Sequence, residues 1–170
     1  MDTAFWVTSG GIVLLLVLSG FFSGSETALT AASRGKLRAQ ADKGSQGAER
    51  ALAITEDNER LIGSVLLGNN LVNILATSLA TALLTRVFGE SGVALATLIM
   101  TLLVLIFAEV LPKTYAITNA ETAAAAVSGP ISVVVKVFSP IVATVRVLVR
   151  AVLSVFGVQT DPDDHQYQWL

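Results

Sequence analysis

The sequence predicts an all-α membrane protein with three transmembrane helices per subunit and juxtamembrane amphipathic helices on the cytoplasmic side. The 170 residues are 53% hydrophobic and only 14% charged, and the mean hydropathy is +0.69, which is unusual for a soluble domain. Three apolar stretches reach the length of about 20 residues that a helix needs to cross a bilayer. A net charge of −2 gives no basic excess for nucleic acid, and the chain has no cysteine for disulfides or thiolate metal sites.

The first predicted span runs from about residue 4 to 22. No lysine or arginine precedes it, whereas a cleaved signal peptide normally begins with a positively charged region. We therefore expect a membrane helix that is retained in the mature protein.

An Ala-rich, charged segment separates the first two spans and predicts juxtamembrane helices over about 27–57. It is interrupted by Lys43-Gly44-Ser45-Gln46-Gly47, a combination typical of a turn. Two short helices around that turn are expected.

The second and third predicted spans cover about 61–88 and 92–112 and are joined by only three residues, Gly89-Glu90-Ser91. Six lysines and arginines follow the first span, one lies near this hairpin and four follow the third span. The positive-inside bias therefore places the N-terminus outside a cell membrane and the C-terminus in the cytoplasm.

Further juxtamembrane helices are predicted over about 114–157, and the apolar segment over 123–158 is compatible with two arrangements. Its serines and basic residues share one helical sector, which favours an amphipathic helix in the cytoplasmic interface over a fourth span. Pro140 is expected to break or kink this helix. The transmembrane domain then covers residues 1–158, and 159–170 form a polar tail or linker.

Glu109 is the only charged residue between Gly92 and Pro112. A charged side chain at membrane depth costs roughly 3 kcal/mol unless it faces a cavity, an ion or a counter-charge. Lys113 offers one partner at i, i+4. Pro112 has no N–H to donate to the carbonyl of Ala108, so a free backbone oxygen accompanies the carboxylate.

Polar residues interrupt the other two spans near the same predicted depth. Ser23 and Ser25 lie in the run Ser19-Gly20-Phe21-Phe22-Ser23-Gly24-Ser25-Glu26-Thr27-Ala28, and Asn70 and Asn73 follow Gly68. Either group alone is better explained by packing and hydrogen bonding between helices than by a site. Together with Glu109 they form an all-oxygen set on the cytoplasmic half, which suits Mg²⁺, Ca²⁺ or Na⁺.

These motifs resemble the CorC/CNNM-type magnesium transporters in Ser-Gly-Phe-Phe-Ser-Gly-Ser-Glu-Thr-Ala, Gly-Asn-Asn and Glu-Val-Leu-Pro-Lys. The resemblance extends from Ser19 to about Gly157. It implies a homodimer in the lipid bilayer and a cytoplasmic pair of nucleotide-binding CBS domains beyond Leu170, which would carry ATP-dependent regulation. It also implies a metal site at Ser23, Ser25, Gly68, Asn70, Asn73 and Glu109.

The expected function is export of Mg²⁺, driven by Na⁺ entering down its gradient. The alternative is a membrane-bound Mg²⁺ sensor or scaffold that binds the ion without carrying it. An enzyme is not expected, since the sequence has no phosphate-binding loop and a serine nucleophile would need a base. The only histidine, His165, lies in the polar tail.

Overall fold

The computed structural model describes residues 3–157 of the chain, so the predicted tail at 159–170 and His165 lie outside the described residues. Seven α-helices and one π-helical segment follow one another with short connections. They are α1 (Thr3–Ala31), α2 (Arg34–Asp42), α3 (Gln46–Glu56), α4 (Asn58–Phe88), α5 (Ser91–Leu103), the π-helical segment (Val104–Val110), α6 (Leu111–Thr118) and α7 (Ala120–Val155).

Four helices are long and apolar enough to cross a membrane, one more than the three predicted spans. They are α1, α4, the continuous helix Ser91–Thr118 and α7. The all-α class is confirmed. The predicted division into three spans and interfacial helices is not confirmed, because all four helices qualify as spans by length and composition.

Helix α1 continues to Ala31, nine residues beyond the predicted end of the first span at Phe22. It passes through the Ser and Gly run without interruption, although glycine in a helix interior costs about 1 kcal/mol relative to alanine. Packing of this run outweighs its weak helix propensity, because Ser19, Ser23 and Ser25 are all buried in the bundle.

Helices α4 and α5 form a tight hairpin. Gly89 ends α4 with a φ of 72°, a left-handed conformation that glycine adopts without strain. At Gly92 a Cβ atom would lie 2.5 Å from the carbonyl carbon of Leu84, so the two backbones touch. The start of the third span is therefore held directly against α4.

The charged segment between α1 and α4 contains α2 and α3, with a turn at Gly44, whose φ is 100°. Ser33 caps α2 by accepting a hydrogen bond from the Lys36 N–H, and Ser45 caps α3 in the same way through Ala48. Both short helices pack against α7.

Helix α7 runs unbroken through Pro130 and Pro140, so the expected break at Pro140 does not occur. Buried residues lie on both sides of this proline, among them Val135 and Val142, and their packing holds the helix together. Near its C-terminal end, Arg146 pairs with Asp57 and Glu59 at 3.5 Å each, which ties α7 to the beginning of α4.

Candidate ion-binding site

Glu109 lies in the π-helical segment, directly before the helix resumes α geometry. The N–H of Leu111 donates to the carbonyl of Ile106, five residues earlier, and Pro112 follows at the first turn of α6. A proline has no N–H and is tolerated at such a position. π-Helical turns are rare and occur often at functional sites, and this one sets the direction of the Glu109 side chain.

Two glycines of α1 form the surface on which this part of the third span packs. A Cβ at Gly20 would lie 3.2 Å from both the Phe107 carbonyl oxygen and Pro112 Cγ, and one at Gly24 would lie 3.2 Å from Pro112 Cβ. Larger residues here would push the helices apart. The glycines therefore set the close approach that brings serines of α1 near Glu109.

Ser23 is the serine that reaches the carboxylate. Its Oγ donates to Glu109 Oε2 at 3.4 Å, and the Ser23 side chain is almost fully buried. Lys113 Nζ lies 3.4 Å from the same oxygen. The ion pair with Lys113 thus exists beside the contact with Ser23, and the Glu109 side chain remains 29% exposed.

A second cluster lies one helical turn away on α1. Ser19 Oγ donates to Asn69 Oδ1 at 2.7 Å, and Asn73 Nδ2 donates to the same oxygen at 3.4 Å. The other end of the Asn73 amide, Oδ1, is buried and accepts no hydrogen bond from residues 3–157. A buried acceptor that receives no hydrogen bond lowers stability by about 1–3 kcal/mol, so a binding partner is expected at this oxygen.

A cavity of about 430 Å³ connects the two clusters, because both Asn73 and Glu109 line it. It lies between α4, α5 and the π-helical segment, and its other lining residues are Thr77, Thr97, Met100, Thr101, Val104 and Leu105. One side chain from each cluster therefore lines the same space.

The other predicted site residues lie apart from this cavity. Gly68 packs against Phe22 and Phe138, where a Cβ would lie 3.0 Å from Phe22 Cζ. Asn70 is exposed on the surface of the chain. Ser25 is buried, but it lies about 200° around α1 from Ser23, and its Oγ has no hydrogen-bond partner among the described residues.

Ser19 and Asn69 belong to the clusters but are absent from the predicted set. Each precedes a predicted residue by four positions, Ser23 and Asn73 respectively. Residues four apart share a helical face, as residues three apart do, so the spacing alone did not favour Asn70 over Asn69.

The atoms of the clusters that could bind a cation are all oxygens. Among residues 3–157 no three histidine, cysteine, aspartate or glutamate side chains come together, so Glu109 is the sole carboxylate of this site. One carboxylate with amide and hydroxyl oxygens is suited to a hard cation that keeps part of its hydration shell.

Comparisons with known proteins agree with this architecture. The family model described as the Cyclin M transmembrane N-terminal domain matches residues 10–168. A "UPF0053 protein" of Haemophilus influenzae is 40% identical over 86 residues, and the "UPF0053 inner membrane protein YfjD" of Escherichia coli is 44% identical over 80 residues. A chloroplastic DUF21 domain-containing protein of Arabidopsis thaliana is 38% identical over 87 residues.

The matched segments cover 51%, 47% and 51% of this chain but only 20%, 19% and 13% of these relatives. The similarity therefore concerns one domain of longer proteins. The family match, in contrast, extends over most of the chain, and the apolar helices and the inner-membrane relative agree on a membrane location. The resemblance inferred from the motifs is thereby confirmed: the chain belongs to the CNNM, or Cyclin M, transmembrane-domain family.

Proposed function

We propose that this domain binds Mg²⁺ at Glu109 and carries it across the membrane, exporting it in exchange for Na⁺. The observation that carries the proposal is the shared cavity: the side chains of Glu109 and Asn73 line it together. The buried Oδ1 of Asn73 accepts no hydrogen bond from residues 3–157. Ser23 adds a hydroxyl oxygen at the carboxylate. Motifs that resemble magnesium transporters contain the same three residues.

The charge of the site suits an ion that must be released. Mg²⁺ holds its water tightly and usually binds proteins through one or two carboxylates plus retained waters. In this site Mg²⁺ displaces Lys113 as the counter-charge of Glu109, and the carboxylate then turns from the ammonium toward the cavity. Gly68, Asn70 and Ser25 belong to the proposed site only if the helices rearrange during transport.

The proposed topology has three spans, α1, α4 and the helix Ser91–Thr118, with the N-terminus outside and the C-terminus cytoplasmic. Helix α7 is about 54 Å long at 1.5 Å per residue, well beyond the roughly 30 Å hydrocarbon core, and it packs on the charged helices α2 and α3. These features support an interfacial α7. Impermeant thiol labelling of Gly44→Cys and Glu90→Cys from opposite sides of the membrane tests this orientation.

The proposed assembly is a homodimer that acts with a cytoplasmic CBS pair of the full-length protein. The resemblance implies both features, and the matched relatives are much longer than this domain, which is compatible with a further cytoplasmic domain.

The experiment is Mg²⁺ flux into proteoliposomes that contain a Mg²⁺ indicator. Glu109→Gln removes the negative charge at nearly constant volume, and we expect at least about a tenfold loss of flux, the effect of roughly 1.4 kcal/mol of lost ion binding. Glu49→Gln is the matched control, since Glu49 is exposed on α3 and does not line the cavity. Wild-type flux in Glu109→Gln contradicts the proposal.

The same vesicles distinguish transport from the sensor alternative. A transporter coupled to Na⁺ changes its Mg²⁺ flux when an Na⁺ gradient is imposed. A sensor shows saturable Mg²⁺ binding that depends on Glu109, together with flux no higher than in protein-free vesicles.

A further inference from the structure

We infer that the cavity between α4, α5 and the π-helical segment is a water-filled vestibule that admits cations and rejects anions. It leads from Glu109 toward the α4–α5 turn. The inference deepens the proposed ion site and rests on it, because Glu109 belongs to both. The argument depends on where the protons of the lining groups lie.

Each threonine hydroxyl on the cavity wall uses its one proton in a hydrogen bond to a backbone carbonyl. Thr77 Oγ1 donates to the Asn73 carbonyl at 2.8 Å, and Thr97 Oγ1 donates to the Val93 carbonyl at 2.9 Å. Thr101 Oγ1 donates to the Thr97 carbonyl in the same way. A hydroxyl has one proton and two lone pairs, so these three oxygens can offer the cavity only acceptor sites.

Two further polar side chains, Asn73 and Glu109, lie on the wall. Asn73 donates one of its two Nδ2 protons to Asn69, and its Oδ1 is buried. Glu109 contributes a carboxylate, and Lys113 is not among the residues that line the cavity. Acceptor oxygens from the three hydroxyls and the carboxylate therefore predominate on this wall, and they attract cations and the hydrogens of water.

The lining also extends a considerable distance along the bundle. Thr97 and Glu109 are separated by about 18 Å of helix at 1.5 Å per residue, more than half the hydrocarbon thickness. A second cavity of about 610 Å³ shares Asn73 and Thr77 and continues along α4 past Ser78 and Thr81. Thr81 also donates to a backbone carbonyl, that of Thr77, at 2.9 Å. The acceptor wall thus continues beyond the first cavity toward the turn.

The experiment uses thiol chemistry, for which the chain is well suited because it has no native cysteine. Thr97→Cys and Thr101→Cys place a nearly isosteric thiol on the wall. Their matched controls are Leu98→Cys and Leu102→Cys, one residue further along the same helix and so at the same depth. Both leucines are exposed on the bundle surface and neither lines the cavity.

Reconstituted protein is treated with two impermeant methanethiosulfonates of similar size, one with a trimethylammonium group and one with a sulfonate. We expect modification of both threonine positions by the cationic reagent, at least about tenfold faster than by the anionic one after correction for their rates with a free thiol. The leucine positions should react with neither. Adding Glu109→Gln to Thr97→Cys should move the rate ratio toward one.

Equal reaction at Thr97→Cys and Leu98→Cys, no reaction at the threonine positions, or faster reaction with the sulfonate overturns the vestibule. These rates do not require transport. If Glu109→Gln leaves flux unchanged while the cationic preference persists, the transport proposal fails and the vestibule stands. If the wild-type protein transports Mg²⁺ but shows no preference for the cationic reagent, the vestibule fails and the transport proposal stands.

Discussion

Two helices of this domain contain prolines, and the helix responds differently in each. In the third span a π-helical segment ends directly before Pro112, and a candidate ligand, Glu109, lies within it. In α7 the helix passes Pro130 and Pro140 in α geometry. Proline removes one backbone hydrogen bond in either place, so proline alone does not produce the π segment.

The neighbouring helix explains the difference. Pro112 packs on Gly20 and Gly24 of α1 at the closest approach that side chains allow. Gly129, which precedes Pro130, has no such contact, since its nearest neighbour is the end of the Arg50 side chain at 4.0 Å. A proline that packs closely against a neighbouring helix fixes the local backbone geometry, whereas a proline on an exposed face is accommodated within a regular α-helix. Three pairs of variants test this comparison.

The largest effect is expected from filling the glycine surface. Gly20→Leu adds four carbons where even a Cβ would lie 3.2 Å from the Phe107 carbonyl oxygen and Pro112 Cγ, so we expect a loss of about 3 kcal/mol or more. Gly129→Leu should not lower stability, because the site is open and leucine has a higher helix propensity than glycine by up to about 1 kcal/mol. The thermal midpoint in detergent measures both, and a fall of several degrees is expected for Gly20→Leu alone. Equal thermal midpoints for the two variants would show that Gly20 and Gly24 do not form a close-packed surface for Pro112.

An intermediate effect is expected from removing each proline. Pro112→Ala restores an N–H that can bond to Ala108, which favours α over π geometry and rotates Glu109 by up to about 100°. We expect Mg²⁺ affinity to fall about tenfold, measured by calorimetry. Pro140→Ala removes a residue that costs up to about 3 kcal/mol in a helix interior, so it should raise the thermal midpoint and leave affinity unchanged. Unchanged affinity in both variants contradicts a role for the π segment.

The smallest effect is expected from the lysines near the two prolines. Lys113→Gln removes a partly exposed ion pair worth about 0.3–0.5 kcal/mol, and it also removes a cation that competes with Mg²⁺ for Glu109. We expect Mg²⁺ to bind about twofold more tightly in a titration. Lys136→Gln, in α7 and away from the cavity, should leave the titration unchanged. Weaker binding in Lys113→Gln would mean that the lysine supports the site.

The sequence predicted the helical class, and it predicted that Ser23 and Glu109 lie at a similar depth in the membrane, because both follow from strong local signals. Long apolar runs require helices in a membrane, and an isolated carboxylate there requires a partner. The pairing of Ser19 with Asn69 was not predicted, since it depends on how α1 is rotated against α4. Helical spacing gives the residues that share a face but not the neighbour that this face meets.

The behaviour of α7 was also beyond a sequence-based prediction. Pro140 is a strong helix-breaking signal locally, and its effect is cancelled by packing on both sides of it. We expect the π-helical segment likewise to depend on Gly20 and Gly24, which contact Pro112 from about 90 residues away in the sequence. Tertiary contacts decide both outcomes, and no local pattern reports them.

The glycine contacts at the two ends of the third span have a mechanical consequence. Gly92 holds its beginning against the backbone of α4, and Gly20 and Gly24 hold its later part, at Pro112, against α1. A rod fastened near both ends cannot swing like a lever. It can only bow or turn about its own axis between the two fixings, and Glu109 lies within the later one, because Gly20 contacts Phe107 as well as Pro112. We therefore expect any gating motion to appear as a change in curvature or twist between Gly92 and Phe107, while Glu109 keeps its position against α1.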